Sequence, residues 1–203
     1  RGRLISKLIH KFDPRGYKLV TGSLLSDYEI QRLSMQKYWV NIPEDGRIAI
    51  FERSPYSEIL SSKIKKDEFS TQLGYIKDFE RTLSANGTAI LKIFLDIGKK
   101  EQKKRLKKLE SNKNTRWRVT KDDWKQNKHF DDYIQRVDAV IPATNIEYAP
   151  WFRVDSTDPK IAEKLILTRV LAFMESVNAG DHLKAGCAPH PTCDVFQSDS
   201  PLD

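Results

Sequence analysis

The stretch Gly46–Tyr56, GRIAIFERSPY, constrains the fold of this chain more than any other. Ile48, Ala49, Ile50 and Phe51 form a short continuous apolar run after a glycine turn, the pattern of a strand covered on both faces inside a parallel sheet. Ligands of such sheets gather at the carboxyl ends of strands. Glu52 and Arg53 stand at that end, so an acid and a cation occupy a position where an α/β protein places its chemistry. The bland reading of the same residues is a strand exit carrying a solvated salt pair.

The rest of the chain alternates in the same sense. Arg3–Phe12 places Leu4, Ile5, Leu8, Ile9 and Phe12 at helical spacing and is stopped by Asp13-Pro14-Arg15-Gly16. Tyr17–Ser23 reads as a strand, and Asp27–Val40 as a helix ended by Pro43 and Gly46. Pro55 opens a further helix, because proline fits a first helical turn. A polar interval around Lys63–Glu68 leads to a helix over Phe69–Leu83, with Leu73, Ile76, Phe79 and Leu83 recurring on one face. Asn86-Gly87 turns the chain into a second apolar strand, Thr88–Ile97, which carries Lys92 inside and Asp96 near its exit.

Lys99–Glu110 is a highly charged helix with Leu106 and Leu109 as its few apolar contacts, and charge density alone favours a solvated surface helix. Ser111–Arg118 is a basic turn with Trp117 between two arginines. Thr120 then caps a helix running through Trp124, Phe130, Tyr133 and Val137. These pieces, over about residues 99–141, form a hairpin able to fold over a phosphate ligand as a lid. Ala149–Val154 is a short final strand and Asp158–Met174 an amphipathic helix. Alternating strands and helices predict an α/β fold with a parallel sheet flanked by helices.

Composition bounds the function. With 203 residues, 39% hydrophobic and 31% charged, the chain suits one globular domain. No apolar run reaches membrane-spanning length and the first residues carry no secretory pattern, so the cytoplasm is the default. The net charge is +7, while residues 179–203 hold one lysine against four aspartates, so the body is more basic still. That balance favours an anionic partner: nucleic acid, a nucleotide, polyphosphate or an acidic membrane. Beyond Val177 periodicity collapses, and residues 179–203 read as a disordered or foreign tail. Cys187 and Cys193 lie in it and read as incidental, being too few for a metal site. The four histidines, His10, His129, His182 and His190, fall on surface-like or tail positions, and no Ser-His-Asp or Cys-His pattern serves acyl transfer. One acid and many cations, namely Glu52 with Arg53, Arg105, Arg116 and Arg118, and Lys92 on a core strand, are instead the inventory of phosphoryl transfer.

Residues Leu4–Phe173 resemble the family-2 polyphosphate kinases, particularly the polyphosphate:AMP phosphotransferase branch, which has the phosphate-binding-loop kinase fold. The matching pieces, in order, are Phe12-Asp13-Pro14-Arg15-Gly16, Tyr38-Trp39, Phe51-Glu52-Arg53-Ser54-Pro55-Tyr56, Phe79-Glu80 and Leu91-Lys92-Ile93-Phe94-Leu95. Glu101-Gln102 with Arg105, Trp117-Arg118 before Asp123-Trp124, and Ala149-Pro150-Trp151 complete the set. The resemblance implies transfer of a terminal phosphate between inorganic polyphosphate and a nucleoside mono- or diphosphate, AMP favoured, with Mg2+ as cofactor. It implies Glu52 as metal ligand, Arg53, Arg105, Arg116 and Arg118 as phosphate clamps, and Lys92, Tyr56 and Asp123 as substrate-binding residues.

Three departures stand out. Glu52 replaces the usual aspartate and lengthens a ligand of a metal with strict octahedral geometry. Pro55 replaces a tryptophan, and Lys37 stands where an arginine commonly precedes the aromatic pair. The phosphate-binding loop and the first, central strand of the family would lie immediately before Arg1, so the expectation is a truncated kinase of low activity. Two other readings are a weakened polyphosphate-binding half of a tandem kinase and, ranked last, a nucleic-acid-binding protein. The latter would draw on Trp117 and Trp124 as stacking groups beside cations. Homo-oligomers are common among proteins of this kind.

Overall fold

The computed structural model describes residues 2–21, 35–60 and 66–180. Positions 27–34 of the expected second helix lie outside them, as do positions 63–65 of the polar interval, whose remainder is already helical, and residues 181–203 with both cysteines, His182 and His190.

Helix α1 (Gly2–Ile9) precedes strand β1 (Tyr17–Val20), and the short helix α2 (Gln36–Trp39) precedes strand β2 (Ile48–Phe51). After α3 (Tyr56–Ile59) and the long α4 (Lys66–Ala85) comes β3 (Lys92–Asp96). The lid region follows as α5 (Lys99–Ser111), a 3-10 turn at Arg116–Arg118, and α6 (Lys121–Lys128). Helix α7 (Phe130–Thr144), strand β4 (Trp151–Asp155) and α8 (Pro159–Asn178) complete the chain. The expected single helix after Thr120 is therefore two, divided at His129, whose backbone leaves helical geometry (φ −100°, ψ 35°). The second apolar strand is shorter than its apolar run and starts at Lys92.

Among the described residues both strand pairs are parallel, as the continuous apolar runs predict. Among the described residues the strands form two pairs, β1 with β2 and β3 with β4. Tyr17 is level with Ile48 and Val20 with Phe51; Lys92 is level with Trp151 and Asp96 with Asp155. Within this set the second edges of β2 and β3 carry no strand.

One core cluster lies against β3–β4: Tyr56, Ile59, Leu60, Ile76, Val137 and Val140 are buried together, with Phe94 and Trp151 packed on them. The other face of β3–β4 carries Ile93, Leu95, Phe152 and Val154, covered by Leu4 of α1 and Ala162, Ile166 and Val170 of α8. Strand alternation produces this two-sided cover, because successive side chains point to opposite faces. Burying an aliphatic side chain such as Ile76 or Ile166 fully stabilises the fold by about 1.5–3 kcal/mol. An ion pair from Lys7 to Glu163, at 2.7 Å to the second oxygen, fastens α1 to α8. Tyr38 of α2 lies against Phe51 (ring centroids 5.7 Å apart), and Trp39 meets Phe79 edge-on at 4.7 Å. The Tyr38-Trp39 pair thus mounts α2 between β2 and α4. Among the described residues no helix is long and apolar enough to cross a membrane.

Candidate active site

The exit of β2 is built by backbone bonds. Glu52 N–H donates to Val20 O at 3.0 Å, extending the β1–β2 ladder one step past the strand. The Tyr38 hydroxyl, on a side chain 1% exposed, donates to Arg53 O at 3.4 Å. Pro55 and the Ser57 N–H to Ser54 O bond (2.9 Å) then turn the chain into α3. The backbone of Glu52 and Arg53 is fixed while both side chains remain half-buried. Neither side chain has a hydrogen-bond or ion-pair partner among the described residues.

At the exit of the other pair, Ser156 N–H donates to Asp96 O at 2.7 Å. Arg105, from the first half of α5, donates from Nη2 to Ser156 O at 2.6 Å and Thr157 O at 2.9 Å, and from Nε to Glu101 at 2.8 Å. Guanidinium has five N–H donors. Those three bonds root α5 at the end of β4 and leave Nη1 unengaged among the described residues. The Asp155 carboxyl lies below the usual carboxylate range, held there first by the side chain and then by the backbone N–H of Thr157, with Arg105 adding attraction. Arg153 bridges Asp96 (2.7 Å) and Asp138 (2.7 Å), tying β3 to α7.

The lid hairpin is closed by polar contacts. Asn127 donates to Gln102 Oε1 at 2.7 Å and to Lys99 O at 3.2 Å, and Thr115 Oγ1 donates to Leu109 O at 2.8 Å. Thr120 caps α6 as the sequence predicts, in a reciprocal capping box with Asp123. Asp123 Oδ2 accepts from both Thr120 N–H (2.8 Å) and Thr120 Oγ1 (2.7 Å). At the tip, Trp117 is 75% exposed while its Nε1 donates to Asn114 O at 2.9 Å. The Arg118 guanidinium lies 5.5 Å from the Trp117 ring centre, and Arg116 extends into solvent on the same turn.

Lys92 and Tyr56 are brought together, in an enclosed place. The Lys92 ammonium donates to Glu80 at 2.7 Å, Thr144 O at 2.8 Å and the Tyr56 hydroxyl at 3.4 Å. It also lies 5.2 Å and 5.3 Å from the ring centres of Tyr56 and Trp151. The side chains of Lys92 and Glu80 are each 6% exposed. Burial raises the Glu80 carboxyl and lowers the Lys92 ammonium, and the attraction between them works against both shifts. Burial and the nearby Glu80 charge also raise the Tyr56 phenol. Lys92 therefore reaches into the core rather than toward the β2 exit.

Sequence reasoning gave Glu80 and Thr144 no role in this network. The signal for a partner was a lysine inside an apolar strand, since a buried charge must be paired. The partner's identity depends on helix α4 lying over β3.

The expected metal role of Glu52 meets a mixed test. No group of three or more His, Cys, Asp or Glu side chains able to hold an ion gathers among the described residues. At the β2 exit the Glu52 carboxylate has no hydrogen-bond or ion-pair partner among the described residues. Mg2+ is commonly bound through one or two carboxylates plus substrate phosphates and water, so a single such ligand fits that ion.

Residues 1–182 match the family model described as polyphosphate kinase 2. The polyphosphate:AMP phosphotransferase of Acinetobacter johnsonii is 31% identical over 180 residues, covering 87% of this chain and 38% of that protein. The AMP/ADP-polyphosphate phosphotransferase of Meiothermus ruber is 31% identical over 144 residues, covering 69% of this chain and 54% of that protein. The crystal structure of a polyphosphate kinase 2 from Arthrobacter aurescens superposes with a TM-score of 0.81 at 26% identity, covering 87% of this chain and 64% of that one. The chain thus spans between about two-fifths and two-thirds of the proteins it matches.

Proposed function

Because the chain belongs to the polyphosphate kinase 2 family, we propose that it forms part of a phosphotransferase moving a terminal phosphate between inorganic polyphosphate and a nucleoside mono- or diphosphate. AMP is the favoured acceptor, Mg2+ the cofactor and the cytoplasm the location. The observation that carries this reading is the β2 exit, where Glu52 and Arg53 are held by their backbone and their side chains have no partner among the described residues.

Phosphoryl transfer spreads charge over equatorial oxygens, so catalysis is largely positioning and charge stabilisation. Arg53 supplies a fixed cation at the strand exit. Arg116 and Arg118 supply mobile-stemmed cations from the lid tip, and Arg105 offers Nη1 beside the β4 exit. Glu52 would hold the Mg2+, which when bound neutralises phosphate charge. Asp123 keeps the lid turn in shape through its capping box. Lys92 and Tyr56 act from inside, setting β3 against α3 and α7.

The phosphate-binding loop and central strand of the family belong, in this proposal, to a segment preceding Arg1. Among the described residues β2 and β3 each pair on one edge only, which leaves an edge for such a strand. The test is ADP formation from AMP and polyphosphate by the 203-residue chain and by a protein with an upstream strand and loop restored. The extended protein is expected to turn over and the shorter one to be slow. A typical kinase rate from the 203-residue chain would refute the fragment reading. Polyphosphate retention without ADP in the extended protein would instead support the weakened half of a tandem kinase, which Glu52 and Pro55 motivate.

A further inference from the structure

Helix α5 has two unlike faces. Glu101, Gln102, Arg105, Leu106 and Leu109 are half-buried toward the β4 exit and α6, while Lys100, Lys103, Lys104, Lys107 and Lys108 are all exposed. Those five positions follow the i, i+3, i+4, i+7, i+8 spacing of one helical face. None of the five has an acidic partner among the described residues, whereas Lys99 and Arg105 of the same helix are paired. The stripe begins two residues after Gly98, at the carboxyl end of β3, and runs toward the basic tip that carries Arg116 and Arg118.

Electrostatics disfavours this arrangement unless something offsets it. Like charges at i, i+3 and i, i+4 repel, and Lys100 sits in the first helical turn, where the helix dipole opposes a cation. A face needing only solubility is served as well by interspersed signs. We propose that this stripe is a track for the distal part of an inorganic polyphosphate chain, outside the reacting phosphates. The proposal rests on the phosphotransferase reading above and adds a second contact region to it.

The chemistry of the face selects that occupant. Tracks for single-stranded nucleic acid interleave cations with stacking aromatics. Helix α5 has no aromatic residue. Membrane-surface helices bury an apolar face in the lipid. Here Leu106 and Leu109 face the protein, leaving no apolar wedge beside the lysines. Flexible ammonium groups at about 5–6 Å intervals suit a bare chain of phosphates with no bases to read.

The experiment compares the 203-residue chain with a variant in which all five lysines are glutamine and a second in which all five are arginine, after circular dichroism shows that each is folded. Binding of long-chain polyphosphate and of tetraphosphate is measured over a range of salt. The wild-type chain is expected to bind the long polymer at least about tenfold more tightly than tetraphosphate. The glutamine variant should lose that margin, with its salt slope shallower by about 0.7 per lysine removed. The arginine variant should keep the margin, and tetraphosphate affinity should not change with either set. A margin that survives in the glutamine variant overturns the track. So does equal competition, charge for charge, by oligo-dT or by phosphatidylserine vesicles. Lysine-dependent binding of the long polymer without phosphate transfer in the extended protein would uphold the track and refute the enzymatic reading. Transfer with binding independent of chain length would do the reverse.

Discussion

Replacing Lys92 by methionine removes an ammonium group without opening much space, and its consequences follow from the network around it. The ammonium is bound to Glu80 at 2.7 Å and to Thr144 O at 2.8 Å, and both charged side chains are 6% exposed. Lys92→Met leaves the Glu80 carboxylate buried without its cation, a loss expected to cost about 3–5 kcal/mol. That is a large share of the stability of a typical domain, about 5–15 kcal/mol. In urea the midpoint should fall by at least about 1 M with little change in slope.

The pH dependence gives an independent reading. Lys92 holds the Glu80 carboxyl down against its burial, so removing Lys92 raises it further. A carboxyl whose folded value lies above its unfolded value binds its proton more tightly when folded. Its contribution to stability is present at low pH and lost as pH rises through the raised folded value. Lys92→Met should therefore be least damaging in acid and progressively worse above the ordinary carboxylate range. Adding Glu80→Gln should recover part of the loss and flatten the profile. An unchanged urea midpoint for Lys92→Met, or a double variant weaker than the single one at neutral pH, would refute the structural role. If the midpoint is unchanged while KM for polyphosphate rises in the extended protein, Lys92 binds substrate instead.

Four further outcomes are expected. In the extended protein, Arg53→Ala should lower kcat on the order of 100-fold or more while the urea midpoint stays put, since its side chain has no described partner. Glu52→Gln should raise the Mg2+ concentration needed for half-maximal transfer, and Glu52→Asp should increase the rate by restoring the shorter ligand; an unchanged rate would show that the site accommodates glutamate. Thr120→Ala removes one half of the α6 capping box and should cost about 0.5–2 kcal/mol, seen as faster amide hydrogen exchange in the first turn of α6.

The contrast between Thr120 and Lys92 explains how much could be read in advance. A cap depends on atoms three residues apart, so Thr120 was legible as local chemistry, although Asp123, its partner in the box, was expected only as a substrate-binding residue. The glycine turns at Gly46 and Gly87, at φ 73° and 82°, are local in the same way, because positive φ suits a residue without a Cβ. The parallel character of the strands followed from apolar runs that need cover on both faces. The acid and arginine after β2 were visible because strand exits are where such folds place ligands.

What the amino-acid sequence determined by itself, then, was the order of strands and helices, their turns and caps, and the list of groups at the strand exits. Tertiary structure decided which of those groups are available. Lys92 sits in an apolar strand in either account, yet only the packing of α4 and α7 over β3 gives it Glu80 and Thr144 and encloses it. Arg105 belongs to a basic run in either account, yet only the return of the chain 51 residues later brings it the Ser156 carbonyl. On α5 the same packing gives Lys99 the partner Asp131 and leaves the other five lysines as an exposed stripe without an acidic partner among the described residues. The physical reason is common to all three. A side chain's charge and donors are properties of its residue type, whereas its desolvation and its partners are set by segments far away along the chain.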